Sequence, residues 1–171
     1  MTVEIEFLSF SADKLTQLQH RIETCVEKLT DEQVRAKTSM NQNSVGNLLL
    51  HLNGNVRQWI LHGVAREPDL RDRDAEFTPL NQPEAPELLA QLRATVEEAA
   101  AFLHTLPPER LLARLQVQGY DCTVLAAIYH VVEHFAGHTF QIIYATKLLT
   151  GEDLGFYAHL SGALGRKDPL P

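Results

Sequence analysis

Residues 123–147 read TVLAAIYHVVEHFAGHTFQIIYATK. Leu125, Ile128, Val131, Val132, Phe135 and Ile142 recur there at three- and four-residue steps or their multiples, which gathers them on one arc of a helix. Asp121 stands where an N-cap is expected, and Gly151, just after Lys147, offers a C-terminal stop. A helix this long with one apolar side is stable only when that side is covered. The rest of the chain supplies the cover as further helices.

A first helix over roughly residues 3–29 places Leu15, Leu18, Ile22, Cys25, Val26 and Leu29 on one face. Thr30 and Gln33 have capping-box spacing, so a short helical turn is expected next. Ser44 caps a second helix that carries Val45, Leu48, Leu52, Val56 and Trp59 and runs to Gly63. A third begins at about Pro83 and carries Leu88, Leu92, Val96, Ala99, Leu103 and Leu106 to the Pro107-Pro108 break. Only ARLQVQ hints at extended chain, and EDLGFYAHLSGAL suggests one more short helix before a flexible tail at about 165–171. The expected fold class is all-α, a four-helix bundle in one domain spanning 1–171. About twenty residues separate the second and third helices, against loops of ~2–8 residues in most bundles. This long crossover lets those two helices run parallel.

Composition narrows the function. With 171 residues, 44% hydrophobic and 22% charged, the chain has the make-up of a globular domain. A net charge of -7 with scattered basic residues argues against nucleic acid as a partner. No segment approaches the ~20 apolar residues of a membrane span, and MTVEIEF lacks the pattern of an export signal. Cys25 and Cys122 make no CxxC pair, which fits a reducing cytoplasm.

The chemistry-bearing residues are histidines. His130, His134 and His138 lie at successive four-residue steps, and neighbours in such a series stand ~5–6 Å apart on one helix face. His130 and His138 are separated by ~12 Å along the axis, too far to share an ion bound at ~2 Å. Helical projection favours His134 with His138, because His130 turns toward the side of Glu133 and Gly137. His51, at the margin of the apolar face in NLLLHLNGN, is the best third ligand. One such histidine ordinarily donates to a carbonyl or carboxylate. Three inward-facing ones are costly unless something satisfies them together, and a divalent metal does so.

HVVEH also matches the inverted zincin pattern, HxxEH. That reading requires a distant third ligand and a much larger domain, and it turns Glu133 away from the core. His20, His62, His104 and His159 read as ordinary histidines. The mixed cluster Arg71, Asp72, Arg73, Asp74 and Glu76 reads as a salt-bridged loop brace rather than as catalytic.

LLLHLNGNVRQWI, RDRDAEFTP and TVLAAIYHVVEHFAGHTFQIIYATK together resemble the DinB/YfiT-like superfamily of metalloenzymes, in particular a branch with HLxGN and RDRDxEF motifs. The resemblance implies a four-helix bundle, often dimeric. It also implies a metal held by His51 of the second helix and by His134 and His138 of the last. Relatives often carry a small glycine where this chain has Phe140, a change that bears on helix packing or a dimer contact and leaves the ligands alone.

Three neutral imidazoles leave a zinc, nickel or iron ion with its charge and an open position. The expected function is a metal-dependent enzyme acting on a small-molecule substrate. The resemblance points to a thiol-dependent S-transferase or a hydrolase, with a low-molecular-weight thiol as candidate co-substrate. Asn55 and His130 are candidates to hold a ligand ring or to contact substrate. The rival expectation is a non-catalytic dimeric binding or stress-response protein whose metal, if any, is structural.

Overall fold

The computed structural model describes residues 2–37, 39, 41–78 and 82–158. Its elements are α1 (Val3–Val26), α2 (Asp31–Arg35), α3 (Val45–Val56), a π-helical continuation (Arg57–Val64), a 3-10 turn (Ala75–Phe77), α4 (Ala85–Thr105), a second 3-10 turn (Pro108–Leu112), the strands β1 (Arg114–Val117) and β2 (Tyr120–Thr123), and α5 (Val124–Thr150). The four long helices are the four read from periodicity, and the architecture is the all-α bundle.

Local chemistry sets most of the boundaries. Thr30 with Gln33 and Ser44 with Asn47 form complete capping boxes, in which each side chain satisfies the other residue's backbone N–H. Gly151 ends α5 at φ 69°, a left-handed conformation that costs glycine no steric penalty. Three expected boundaries move. Thr123, not Asp121, caps α5, accepting from the Ala126 N–H at 3.1 Å. Asp121 instead sits in β2 and pairs with Arg114 across the hairpin. The ARLQVQ hint is therefore one strand of a two-stranded ribbon, turned through Gln118 and Gly119 at φ 52° and 81°. The helix holding Gly63 runs on to Val64, because a wider π turn carries it past the glycine. Glu84 stands at the N-cap position of α4 without a side-chain bond, and Pro86, rather than Pro83, fills its first turn. Described residues 152–158 form turns without an α-helix, and the remainder of the expected last helix, like the tail, lies outside the described residues.

Helix directions follow from the pairs that join them. Glu23 and Arg93, with Asp13 and His104, set α1 against α4 in antiparallel fashion. Gln82 packs at Gly46 and Arg57 pairs with Glu98, so α3 and α4 run parallel, as the long crossover allows. His51 meets His134 and His138 while Trp59 meets His130, so α3 and α5 are antiparallel. Leu15, Ile22, Leu49, Leu52, Leu92, Leu103, Ile128, Phe135 and Ile142 fill the centre. Leu125, expected on the buried arc, is 37% exposed. It lies in the first turn of α5, at the edge of the bundle, where fewer helices are at hand to cover it.

Candidate metal centre

The three histidines singled out from sequence converge. α3 delivers His51, which is buried, and α5 delivers His134 and His138 from adjacent turns. His134 Nε2 lies 3.0 Å from His51 Nε2 and 3.2 Å from His138 Nε2. Two nitrogens bound tetrahedrally at ~2.0–2.1 Å to one ion stand about 3.3 Å apart, so the observed spacing, which is also that of an N–H···N hydrogen bond, is compatible with a shared ion. All three nitrogens fall within 4.8 Å of one another, and the three histidines are close enough to hold one ion.

Hydrogen bonds on the far side of two rings fix which nitrogen faces inward. His51 Nδ1–H donates to Glu76 Oε2 at 2.8 Å, and His138 Nδ1–H donates to Gln141 Oε1 at 3.0 Å. Each bond consumes the ring's one neutral-state proton, leaving the Nε2 lone pair directed at the shared point. Burial, then the neighbouring His138, His51 and His130 and the charge of Arg71, push His134 down to about 3. Burial also lowers His138, partly offset by its bond to Gln141. His134 and His138 are thus neutral near pH 7, the form that binds a cation without first losing a proton.

The crossover supplies what the sequence reading underrated. Arg71 Nε donates to Glu76 Oε1 at 2.6 Å and Arg71 Nη2 to Glu76 Oε2 at 2.9 Å, with both side chains almost fully buried. Burial alone would raise the Glu76 carboxyl. The bonds from His51 and Arg71 and the charges behind them outweigh it and hold the carboxyl below its ordinary range. The segment is a brace, as expected, but its load is a metal-ligand candidate rather than only a loop. Phe77 from the same turn packs on His51 with ring centroids 5.2 Å apart. The available signal was Gly54, a glycine in the middle of a helix and one turn from His51. A β-carbon there would overlap Glu76 Oε1 and come within 2.9 Å of Arg71 Nε. An interior helical glycine marks a close approach by another segment.

His130 stays outside the cluster. Its ring lies 4.2 Å from Trp59 and 5.5 Å from His134, and Glu133 is exposed, so the HxxEH geometry is not assembled. Asn55 is buried one turn beyond His51. His20 bonds Glu23, His62 bonds the Glu67 carbonyl, and His104 lies near Asp13; His159 is outside the described residues. Burial raises the Cys25 thiol to about 11 and also raises half-buried Cys122, so both are protonated thiols near neutral pH. No described helix is long and apolar enough to cross a membrane.

Fold and site together define a helical bundle carrying a three-histidine cluster able to hold an ion. The chain belongs to the DUF1572 family of proteins of unknown function, part of the DinB-like fold group, whose sequence model matches residues 2–162. Among solved structures it is similar to a conserved protein of Enterococcus faecalis at 17% identity, with a TM-score of 0.74 over 89% of this chain and 99% of that one. That likeness concerns the fold. No curated protein matches the chain.

Proposed function

We propose that the chain is a metal-dependent enzyme acting on a small molecule, of the thiol S-transferase or hydrolase type, with His51, His134 and His138 as the ligands. The observation that carries this reading is the convergence of three Nε2 atoms at 3.0 and 3.2 Å, two of them aimed by bonds on the opposite nitrogen. A bound zinc, nickel or iron ion would supply Lewis acidity, lowering the pKa of a water or thiol placed on it. The protein's own contribution is to keep His134 and His138 neutral and to orient the rings of His51 and His138. Both cysteines are held as thiols by burial, so the nucleophile is brought in, as water or as a low-molecular-weight thiol.

A structural ion would be closed by a fourth protein ligand. Among the described residues the cluster has three members, and the nearest carboxylate, Glu76, is engaged by His51 and Arg71. This supports an open, reactive position over a sealed one. We also infer a homodimer formed through the outer side of α5, where Tyr129, Phe140, Tyr144 and Leu148 are exposed.

The test is elemental analysis of untagged protein, followed by thiol-transfer assays with several cellular thiols. About one divalent ion per chain is expected in the wild type, and none above background in His51→Ala or His138→Ala. A wild type that stays metal-free after incubation with zinc, nickel and iron overturns the reading.

A further inference from the structure

Three of the buried polar atoms without a hydrogen-bond partner belong to the facing sides of α5 and of α3 with its continuation: His134 Nδ1, Asn55 Oδ1 and Trp59 Nε1. They occupy neighbouring levels of the fold. His51, Asn55 and Trp59 follow one another at four-residue steps along α3 and its π continuation, while His138, His134 and His130 do so along α5 in the opposite direction. His51 meets His134 and His138, and Trp59 meets His130, which sets Asn55 level with His134.

The atoms are also chemically complementary. With a cation on His134 Nε2, which faces the other two Nε2 atoms, the neutral ring must carry its proton on Nδ1, a donor. The indole Nε1–H is a donor only, and a carboxamide oxygen has two lone pairs. None of the three atoms is open to solvent, so neither water nor a substrate can satisfy them where they lie. Of the three histidines, His134 alone lacks the outer acceptor that Glu76 gives His51 and Gln141 gives His138.

We propose that Asn55 is the positioning residue of His134: when a cation engages Nε2, Asn55 Oδ1 accepts from His134 Nδ1–H and, on its second lone pair, from Trp59 Nε1–H. This inference rests on the metal reading above. It completes a set in which each ligand ring is held from behind by a different segment: the crossover for His51, α3 for His134 and α5 itself for His138.

The experiment measures zinc affinity by competition with a chelator for wild type, Asn55→Leu and Asn55→Asp, alongside the thermal midpoint of each metal-free protein. Leucine keeps the volume and removes the acceptor, and a 10- to 100-fold loss of affinity is expected. Aspartate keeps an acceptor in place, and affinity at or above wild type is expected. In the zinc-loaded wild type, long-range proton–nitrogen NMR should show His134 with Nε2 ligated and a slowly exchanging Nδ1–H. The aspartate variant and the NMR signature carry the test whether or not the leucine variant folds. A folded leucine variant within twofold of wild type, an aspartate variant as weak as leucine, or a rapidly exchanging Nδ1–H overturns the proposal while leaving the metal reading standing. A wild type that binds no zinc overturns both.

Discussion

At the scale of single residues, the centre depends on where protons sit. His51 offers its Nε2 lone pair because Glu76 holds the Nδ1 proton, and Glu76 is ionised because His51 and Arg71 surround it. Replacing the carboxylate with an amide keeps the shape and weakens the acceptor. Glu76→Gln should therefore lose 10- to 100-fold in zinc affinity, read by chelator competition, without a matching fall in thermal midpoint. An unchanged affinity would show that the carboxylate does not orient the ring. The pairing of His134 with His138 was legible from sequence because helical spacing is a strong geometric constraint, and His51 because it stands at the margin of its own helix's apolar face. Glu76 was not, since it comes from a crossover whose path no periodicity specifies, and a run of alternating charges reads the same whether it braces a loop or a ligand.

At the scale of elements, α3 meets the crossover at Gly54. Alanine there would gain up to ~1 kcal/mol of helix propensity, yet its β-carbon would occupy the place of Glu76 Oε1. Gly54→Ala is expected to weaken zinc binding about as far as Glu76→Gln does. The double variant should be no weaker than either single one, because both act on one bond. Full additivity in that cycle would separate the glycine from the carboxylate. The α1–α4 contact makes a different claim, about pH. Burial would raise Glu23, but bonds from His20, Arg93 and Gln19 and the Arg93 charge hold it below its ordinary value of 4.5. A carboxyl depressed in the folded state contributes stability that is present above 4.5 and is lost as pH falls through its lower folded value. The gap in thermal midpoint between wild type and Glu23→Gln should thus be widest near neutral pH and shrink below about pH 4.5. A gap independent of pH would mean that packing, not ionisation, is what Glu23 contributes. Caps formed by Ser44 and Thr30 were readable because they are local chemistry. The π turn and the hairpin were missed in detail because both answer to tertiary contacts, Trp59 against His130 and Tyr120 above all.

At the scale of the whole molecule, one long loop left room in advance for the observed topology, since a crossover of that length permits parallel α3 and α4 and short loops do not. One side of α5 gathers several of the exposed large apolar side chains. Tyr129, Phe140, Tyr144 and Leu148 are each at least half exposed, and at 100° per residue they fall within an arc of about 100°. Gly137 lies within the same arc, with no atom near the place of its absent β-carbon. The centre of this arc is turned about 90° from His134 and about 130° from His138 around the helix axis, so a second copy covering it would pack beside the ligand cluster rather than on it. Light scattering on the eluting protein should give twice the chain mass of 19.2 kDa, and Tyr144→Glu with Leu148→Glu should return it to a single chain. Metal content should be the same in both forms, because Tyr144 and Leu148 follow His138 by six and ten residues, about 9 and 15 Å farther along the axis of α5. A wild type that elutes as one chain at micromolar concentration removes the homodimer. A monomeric double variant that also loses its ion would mean that pairing props up α5 and through it the centre.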